Sequence, residues 1–279
     1  KDVNDTREES DAVLDESNQV ILDNKATLGG RSEGAGVNNV GATSITITGD
    51  SMITILYTNT VSLDGKRRKN GEVIIKRVGD KKFHEAGGKY TVEFKNLKIT
   101  RIFDLKSILI NGSHEVVNVS GGYPIVALLL DSAAAVRHEI KGAVHVAFDN
   151  GTTKTWTVAR ARTFDLFKVT LSQVDGTTPI ETGINRRGNS FKTTVPLPVV
   201  IEINNSCAGY NKIYKGKVIS GMVRHEVDLP ALPAVITAEF GYEKLDTKTS
   251  NFCNVKGYHL NWERGTFKAG PYFVPVYPN

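Results

Sequence analysis

The sequence predicts an all-β protein built from antiparallel hairpins, arranged as a meander or sandwich, with a short N-terminal helix or tether. Three observations predict this class. Apolar and polar residues alternate from about residue 44, β-branched residues are enriched in the same segments, and turn-forming Gly, Asn and Asp residues separate them. Because side chains on a strand point alternately to its two faces, this pattern is typical of antiparallel strands with one buried and one solvated face.

The first 36 residues differ from the rest in charge and in pattern. Residues 1–35 carry nine acidic and four basic side chains, a balance of −5, whereas the remainder carries +10. Residues 5–22 are rich in helix formers, but their apolar anchors are few: Leu14, Ile21 and Leu22. Since this apolar stripe is thin, residues 1–36 are predicted to be a solvent-facing acidic tether with one short helix at most.

Residues 37–279 form the predicted β-rich region. Its clearest hairpins are residues 44–56 around Gly49-Asp50, residues 108–119 around Asn111-Gly112, and residues 143–161 around Asp149-Asn150-Gly151. Glycine and Asp residues cluster between positions 165 and 195, which leaves open whether the region is one sheet unit or two. The longest apolar run, residues 123–136, is interrupted by Asp131 and Ser132 and is shorter than a membrane helix, so it is interpreted as buried strand.

The basic surplus favours anionic partners in general, although the sequence predicts no nucleic-acid partner. The bases are scattered along strands, and no nucleic-acid-binding motif accompanies them. The densest run includes Lys66, Arg67 and Arg68, which could bind sulfate, phosphate or carboxylate groups. The alternative is a hairpin tip whose charges keep the edge of the sheet soluble.

A second candidate ligand site lies on the strand around Trp156. By alternation, Trp156, Arg160 and Arg162 share one face, and the residues between them share the other. If the small residues pack inward, an exposed aromatic and arginine stripe could bind an acidic glycan by stacking and forked hydrogen bonds. The alternative places Trp156 in the core with the arginines at its rim. Further aromatic residues near the end predict either a docked terminal strand or a sugar-stacking ledge: Phe267, Tyr272, Phe273 and Tyr277.

Motifs for catalysis, metal binding or cofactor binding are not recognised. No GxSxG, GxxxxGK[ST] or GxGxxG phrase is present, so no catalytic residue, metal ligand or cofactor is predicted. Four histidines precede a glutamate without completing HExxH, and such neighbours point to opposite faces of a strand, which predicts exposed strand histidines: His84, His114, His138 and His225. A pair of carboxylates brought together by the fold, as in a glycosidase, stays open as an alternative.

Three phrases together resemble a family of uncharacterised lipoproteins exported by Bacteroides-type bacteria. They are residues 64–74, residues 150–163, and an ending formed by Cys207, Phe240-Gly241 and Cys253-Asn254. In this chain residues 242–252 separate Gly241 from Cys253, and Asn254 replaces the family's acidic residue. The resemblance implies a mature lipoprotein at the bacterial cell surface or in the periplasm, anchored through a lipidated cysteine that precedes the acidic segment. It implies no activity.

Cys207 and Cys253 are candidates for a disulfide. They are 46 positions apart and neither belongs to a CxxC pair, and an exported protein folds in an oxidising compartment. The alternative is two buried thiols that act as small apolar residues.

The leading functional hypothesis is a non-enzymatic surface or periplasmic protein that binds or scaffolds, with an acidic glycan or another surface protein as its partner. In this hypothesis the protein meets a membrane only through its lipid anchor. The two alternatives are a glycan-active hydrolase with an unidentified carboxylate pair, and a structural or adhesive subunit.

Overall fold

The computed structural model describes residues 2–24, 34–35, 38–63, 65–129, 133–166, 168–196, 201–204, 217–249 and 254–275. Within these residues there are two helices, α1 (Asp2–Asp23) and α2 (Pro124–Leu129). The strands are β1 (Gly34–Ala35), β2 (Ser44–Thr48), β3 (Met52–Val61), β4 (Arg67–Val78), β5 (Gly88–Arg101), β6 (Ser107–Asn118), β7 (Val136–Phe148), β8 (Thr153–Asp165), β9 (Lys168–Gln173), β10 (Glu181–Ile184), β11 (Ser190–Thr194), β12 (Ile201–Asn204), β13 (Lys217–Ser220), β14 (Met222–Val227), β15 (Ala234–Lys244), β16 (Thr247–Lys248), β17 (Gly257–Arg264) and β18 (Phe267–Pro275).

The predicted all-β antiparallel class is confirmed. Strands β2 to β8 form a meander in which each strand pairs antiparallel with the next one along the chain. The hairpins predicted around residues 49–50 and 149–151 are β2–β3 and β7–β8. Asn111-Gly112 is not a turn, because both residues lie inside β6 and pair with β7. The glycine there marks a close approach to the neighbouring strand, which sequence alone does not distinguish from a turn.

The sheet branches at β8. The C-terminal half of β8 pairs with β9, which continues to β12 and β13. The N-terminal half of β8 pairs with β10. Beyond β10 the neighbouring strands of the sheet are, in order, β11, β14, β15, β17 and β18. This branching falls close to the region where a division into two sheet units was left open, and that division stays a prediction.

Helix α1 covers the inner face of the meander. Val13 and Val20 of α1 are 0% exposed and belong to the same apolar cluster as Ile55, Val92 and Val144 of the strands. The predicted N-terminal helix is confirmed, but the prediction that the segment faces solvent is wrong for residues 9–24, whose side chains are buried or half-buried. The apolar stripe of α1 is narrow because polar side chains of this helix also face the sheet. There they contact charged side chains of the strands.

Helix α2 corrects the prediction of buried strand for residues 123–136. Residues 124–129 form one helical turn and a half, and β7 begins only at Val136. Ala127 and Leu128 pack against Phe164 of β8 and Val169 of β9. A short apolar run has no periodicity that separates a buried strand from a buried helical turn, so the packing decides between them.

Gly142 of β7 allows β6 and β7 to approach each other closely. A Cβ atom added at this position would lie 2.2 Å from the carbonyl oxygen of Ser113, and the backbone φ is +154°. We expect Gly142→Ala to lower the free energy of unfolding by about 2–4 kcal/mol, because the backbone of β6 must shift to admit the methyl group. Gly151→Ala is the matched control, since φ is +76° there but nothing lies within 4 Å of the added Cβ. The control is expected to cost about 1–2 kcal/mol, and equal urea midpoints for the two variants would contradict this account.

Candidate functional site

The inner face of β8 holds the side chains that were predicted to form an exposed stripe. Trp156 and Arg160 are 0% exposed, and Arg162 is 7% exposed. The alternative in which they face solvent is wrong, because α1 contacts the face of β8 that carries them. The other alternative describes Trp156 correctly, but the two arginines lie in the interior and not at its rim.

Arg160 and Arg162 bind acidic residues of α1. Arg160 Nη2 donates a hydrogen bond to Asp11 Oδ1, and Arg162 Nη1 lies 2.9 Å from Asp15 Oδ1. Glu181 of β10 brings a further carboxylate, whose Oε1 lies 3.9 Å from Arg160 Nη1, and both of these side chains are 0% exposed. A buried guanidinium has lost its hydration, and attraction to nearby carboxylates must offset the free energy of that loss. The acidic residues of α1 are thus counter-charges for an arginine-bearing interior.

Strands β3 and β4 supply a second set of contacts to α1. Arg67 Nε lies 2.6 Å from Glu9 Oε2, and Lys69 Nζ donates to Glu16 Oε1. The hydroxyl of Tyr57 donates to Glu16 Oε2 at 2.7 Å. Lys69 is 3% exposed, so its ammonium is also an interior charge. We name the sheet side chains that contact the helix in this way the helix cradle: Tyr57, Arg67, Lys69, Tyr90, His114, Arg160 and Arg162.

Neutral polar contacts complete the helix cradle. Ser10 Oγ lies 3.2 Å from His114 Nε2, and the hydroxyl of Tyr90 donates to Asn18 Oδ1 at 3.0 Å. Burial lowers the pKa of His114 to about 3, with the charge of Arg160 acting in the same direction. Burial and Arg162 likewise lower the pKa of His138 to about 3. The prediction of exposed strand histidines is therefore wrong for these two residues.

Apolar burial holds α1 in place, and the ionic contacts fix its register. Burying an aliphatic side chain contributes roughly 1.5–3 kcal/mol, and four such side chains of α1 are 5% exposed or less: Val13, Leu14, Val20 and Ile21. A buried ion pair is close to neutral in net free energy, but removing one partner costs about 3–5 kcal/mol. A rotated or shifted helix would separate acidic residues from their bases, so the charges select one docking geometry.

A pH dependence of stability follows from the two buried histidines. Their pKa values are about 3 when folded, against about 6.5 when unfolded. Between these values the unfolded chain binds more protons, so stability is present above pH 6.5 and is lost as the pH falls toward 3. At pH 5 the loss amounts to about 2 kcal/mol for each histidine. Burial raises the pKa of Asp15, which opposes part of this loss.

Urea unfolding at pH 7.5 and pH 5 measures the effect. We expect His114→Gln to reduce the difference in unfolding free energy between the two pH values by about 2 kcal/mol. His145→Gln, at an exposed position of β7, is the control and should leave the difference unchanged. Equal pH dependence in the wild type and in His114→Gln would contradict the assignment of a buried neutral imidazole.

The remaining residues predicted as sites lie elsewhere. Lys66 and Arg68 are exposed at the end of the meander where β4 begins, whereas their neighbour Arg67 is held by Glu9. The run is therefore split, with Lys66 and Arg68 at the surface and Arg67 in contact with the helix. Cys207 and Cys253 lie outside the described residues, and their pairing stays a prediction.

The C-terminal strands present an open aromatic surface that includes a residue the sequence reasoning missed, Trp262. Trp262 pairs across the sheet with Ile236 on one side and Ala269 on the other, while Arg264 pairs with Phe267. Directly opposed residues share a face of the sheet. We name this surface the aromatic face: Ile236, Trp262, Arg264, Phe267 and Tyr272.

The rings of the aromatic face are well exposed for apolar side chains. Trp262 is 38% exposed, Phe267 is 56% exposed and Tyr272 is 53% exposed. The centroids of Trp262 and Phe267 lie 5.0 Å apart with their planes at 47°, so the two rings form one continuous surface. Contiguous exposed apolar surface with a polar margin is typical of an interaction site.

An ion pair lies on the opposite side of the same strands, next to their connecting turn. Glu263 Oε1 lies 3.5 Å from Lys268 Nζ across β17 and β18, and this pair faces away from Trp262 because neighbouring residues alternate. The sequence predicted either a docked strand or a sugar-stacking ledge for residues 267–277. The structure docks β18 on β17 and leaves Phe267 and Tyr272 open, and Tyr277 lies outside the described residues. Two-residue alternation on both sides of Gly265 was the signal that could have added Trp262.

No protein-family model, curated protein or solved structure matches the chain. Among the described residues, no three His, Cys, Asp or Glu side chains are grouped so that they could hold a metal ion. Neither described helix has the length and apolar character needed to cross a membrane.

Proposed function

We propose that the protein is a non-enzymatic carbohydrate-binding or scaffold protein of the bacterial envelope, and that the aromatic face is its binding surface. The observation that carries this proposal is the placement of Trp262, Phe267 and Tyr272 on one open face with Arg264 among them. This relocates glycan recognition from the β8 stripe, whose side chains are buried, to the C-terminal strands.

The chemistry of the aromatic face fits a sugar chain that carries acidic groups. The C–H bonds of a pyranose ring stack on an aromatic plane, and an exposed tryptophan supplies the largest such plane. The guanidinium of Arg264 adds a fork of donors that matches a carboxylate or sulfate group. Arg264 is exposed, with one contact at 3.5 Å from its Nη2 to the carbonyl oxygen of Pro230, so its remaining donors can reach a ligand.

Support for an envelope location comes from the resemblance to exported lipoproteins. Its direct test is the precursor sequence, in which an L-x-x-C lipobox just before Lys1 is expected. A precursor that continues as an ordinary cytosolic chain, without an export signal, would exclude this part of the proposal.

Binding to arrays of neutral and acidic polysaccharides tests the recognition itself. We expect selective binding to acidic glycans, with Trp262→Ala and Arg264→Ala each weakening affinity about tenfold, which corresponds to about 1.4 kcal/mol. Phe103→Ala is the matched control, because Phe103 is an exposed aromatic residue on a distant loop. Absence of binding across a broad array, or equal binding by all three variants, would exclude the aromatic face as a glycan site.

The same polysaccharides separate binding from hydrolysis. Incubation with the wild-type protein is expected to leave their length unchanged. Release of shorter products would favour the alternative of a glycan-active hydrolase. Retention of envelope proteins, but of no glycan, on immobilised wild-type protein would favour a structural or adhesive subunit.

A further inference from the structure

Two neighbouring loops at one end of the meander expose apolar side chains to an unusual degree. The β3–β4 turn carries Leu63, which is 69% exposed, and the β5–β6 loop carries Phe103 and Leu105, which are 87% and 75% exposed. Val61 and Ile102 extend the same surface at 44% and 37% exposure. The exposed fractions of Leu63, Phe103 and Leu105 exceed those of every ring on the aromatic face. Exposing apolar side chains to water is unfavourable, and a contiguous patch of them is typical of an interaction site.

The two loops form one surface because the backbone joins them. The amide of Ile102 donates to the carbonyl oxygen of Lys66 at 2.9 Å, and Arg67 pairs across the sheet with Arg101. We name this surface the loop tip: Val61, Leu63, Ile102, Phe103 and Leu105.

The backbone of Leu105 has an unfavourable conformation. Its φ is +57°, in the left-handed region that residues other than glycine rarely adopt. Holding an exposed leucine in this conformation is strain of the kind that structures retain at functional positions. The turn at Asp104, whose carboxylate accepts from Arg101 Nη2 at 2.8 Å and from the amide of Lys106 at 3.2 Å, keeps the loop in this form.

Basic side chains surround the loop tip. Lys66, Arg68, Lys98 and Lys106 are all exposed around it. Among the described carboxylates near the loop tip, Asp104 binds Arg101. Hydrogen bonds from Ser107 lower the pKa of Asp149, with Lys98 and Lys106 acting in the same direction. Apolar loops within a margin of cations match the boundary between acyl chains and anionic headgroups.

We propose that the loop tip docks on an anionic phospholipid surface, with Leu63, Phe103 and Leu105 entering the interface and Lys66, Arg68 and Lys106 contacting headgroup phosphates. This contact belongs to the folded protein itself and is independent of any lipid anchor and of the aromatic face. It also assigns a role to the exposed part of the basic run, for which an anion-binding site was predicted from sequence.

Flotation of the full chain with phosphatidylcholine vesicles, with and without phosphatidylglycerol, tests the proposal. We expect binding to the anionic vesicles and an affinity at least about tenfold weaker for the neutral ones. The double variant Phe103→Asp, Leu105→Asp is expected to abolish binding, and Lys66→Glu, Lys106→Glu to weaken it at least about tenfold. Leu245→Asp is the matched control, since Leu245 is 43% exposed on a different hairpin, and it should bind like the wild type.

Thermal unfolding of each variant verifies that it is folded, and these exposed substitutions are expected to preserve the midpoint. Absence of wild-type binding to anionic vesicles, or equal binding by Phe103→Asp, Leu105→Asp, would overturn the proposal. Sedimentation velocity tests whether a second copy of the chain, instead of a membrane, occupies the loop tip. Dimers that disappear in Phe103→Asp, Leu105→Asp, without vesicle binding, would assign the loop tip to self-association and would also overturn it.

Discussion

Arg160→Met is expected to lower the free energy of unfolding by about 3–5 kcal/mol, although no ligand-binding role is assigned to Arg160. The substitution retains the approximate length of the side chain and removes its charge. Asp11 of α1 and Glu181 of β10 then lose the cation between them, and Glu181 is 0% exposed. Removing the charged partner of a buried carboxylate is among the largest single-site penalties known.

Two further variants separate lost charge balance from lost packing. Arg68→Met, at an exposed position on β4, is the control and should change stability by less than about 0.5 kcal/mol. Combining Arg160→Met with Asp11→Leu and Glu181→Gln removes the carboxylates that lost their cation, so stability should recover in large part. Urea midpoints measure all three proteins. A triple variant as unstable as Arg160→Met would contradict the charge-balance explanation.

Trp156→Ala is expected to cost about 3–5 kcal/mol, because it leaves a large cavity in the apolar cluster beneath α1. Trp156 is 0% exposed, and its ring meets that of His114 edge to face with centroids 5.9 Å apart. Trp262→Ala provides the matched control, since the chain has two tryptophans and Trp262 is 38% exposed. That variant should cost about 1 kcal/mol or less.

The two tryptophan variants also distinguish a residue needed for stability, Trp156, from a residue needed for binding, Trp262. Under the present account Trp156→Ala destabilises without a direct loss of glycan affinity in the folded fraction, and Trp262→Ala does the reverse. Thermal unfolding and glycan titration of both proteins measure this. A stable Trp156→Ala protein that has lost glycan binding would restore the β8 stripe as the ligand site.

Local pattern was sufficient to predict most strands of the meander, although it divided β6 at Asn111-Gly112. The alternation of Ile45 and Ile47, and of Tyr90, Val92 and Phe94, corresponds to side chains that are buried in the structure. Period-two alternation depends on the geometry of one strand, so a single segment reports it. The same reasoning placed Trp156, Arg160 and Arg162 on a common face, and they share one.

Sequence could not establish which face of β8 is the interior. Arginine is seldom buried, and small residues on the other face of the strand left both orientations of β8 open. The answer depends on α1, which is distant in sequence and whose Asp11 and Asp15 meet Arg160 and Arg162. One signal for this pairing was available in the sequence. Acidic residues are in excess before residue 36 and basic residues are in excess after it, and buried charges need partners of opposite sign.

The aromatic face was only partly predictable for a related reason. Phe267 and Tyr272 were recognised as a possible ledge, since aromatic residues cluster near the end of the sequence. Trp262 lies beside Phe267 through regular pairing next to the turn, which alternation on both sides of Gly265 could have predicted. Tyr272 lies beyond a register shift between Leu260 and Trp262, and local alternation does not reveal such a bulge.

The central claim is that α1 is an integral part of the interior, docked on the helix cradle by matched charges. Native-state hydrogen exchange of the full chain measures this most directly, because it reports the opening free energy of each amide. Amides of residues 13–21 are expected to exchange with opening free energies within about 1 kcal/mol of global unfolding, like those of β5 and β6. Exchange of these α1 amides at nearly unprotected rates, while the strands remain protected, would contradict the claim.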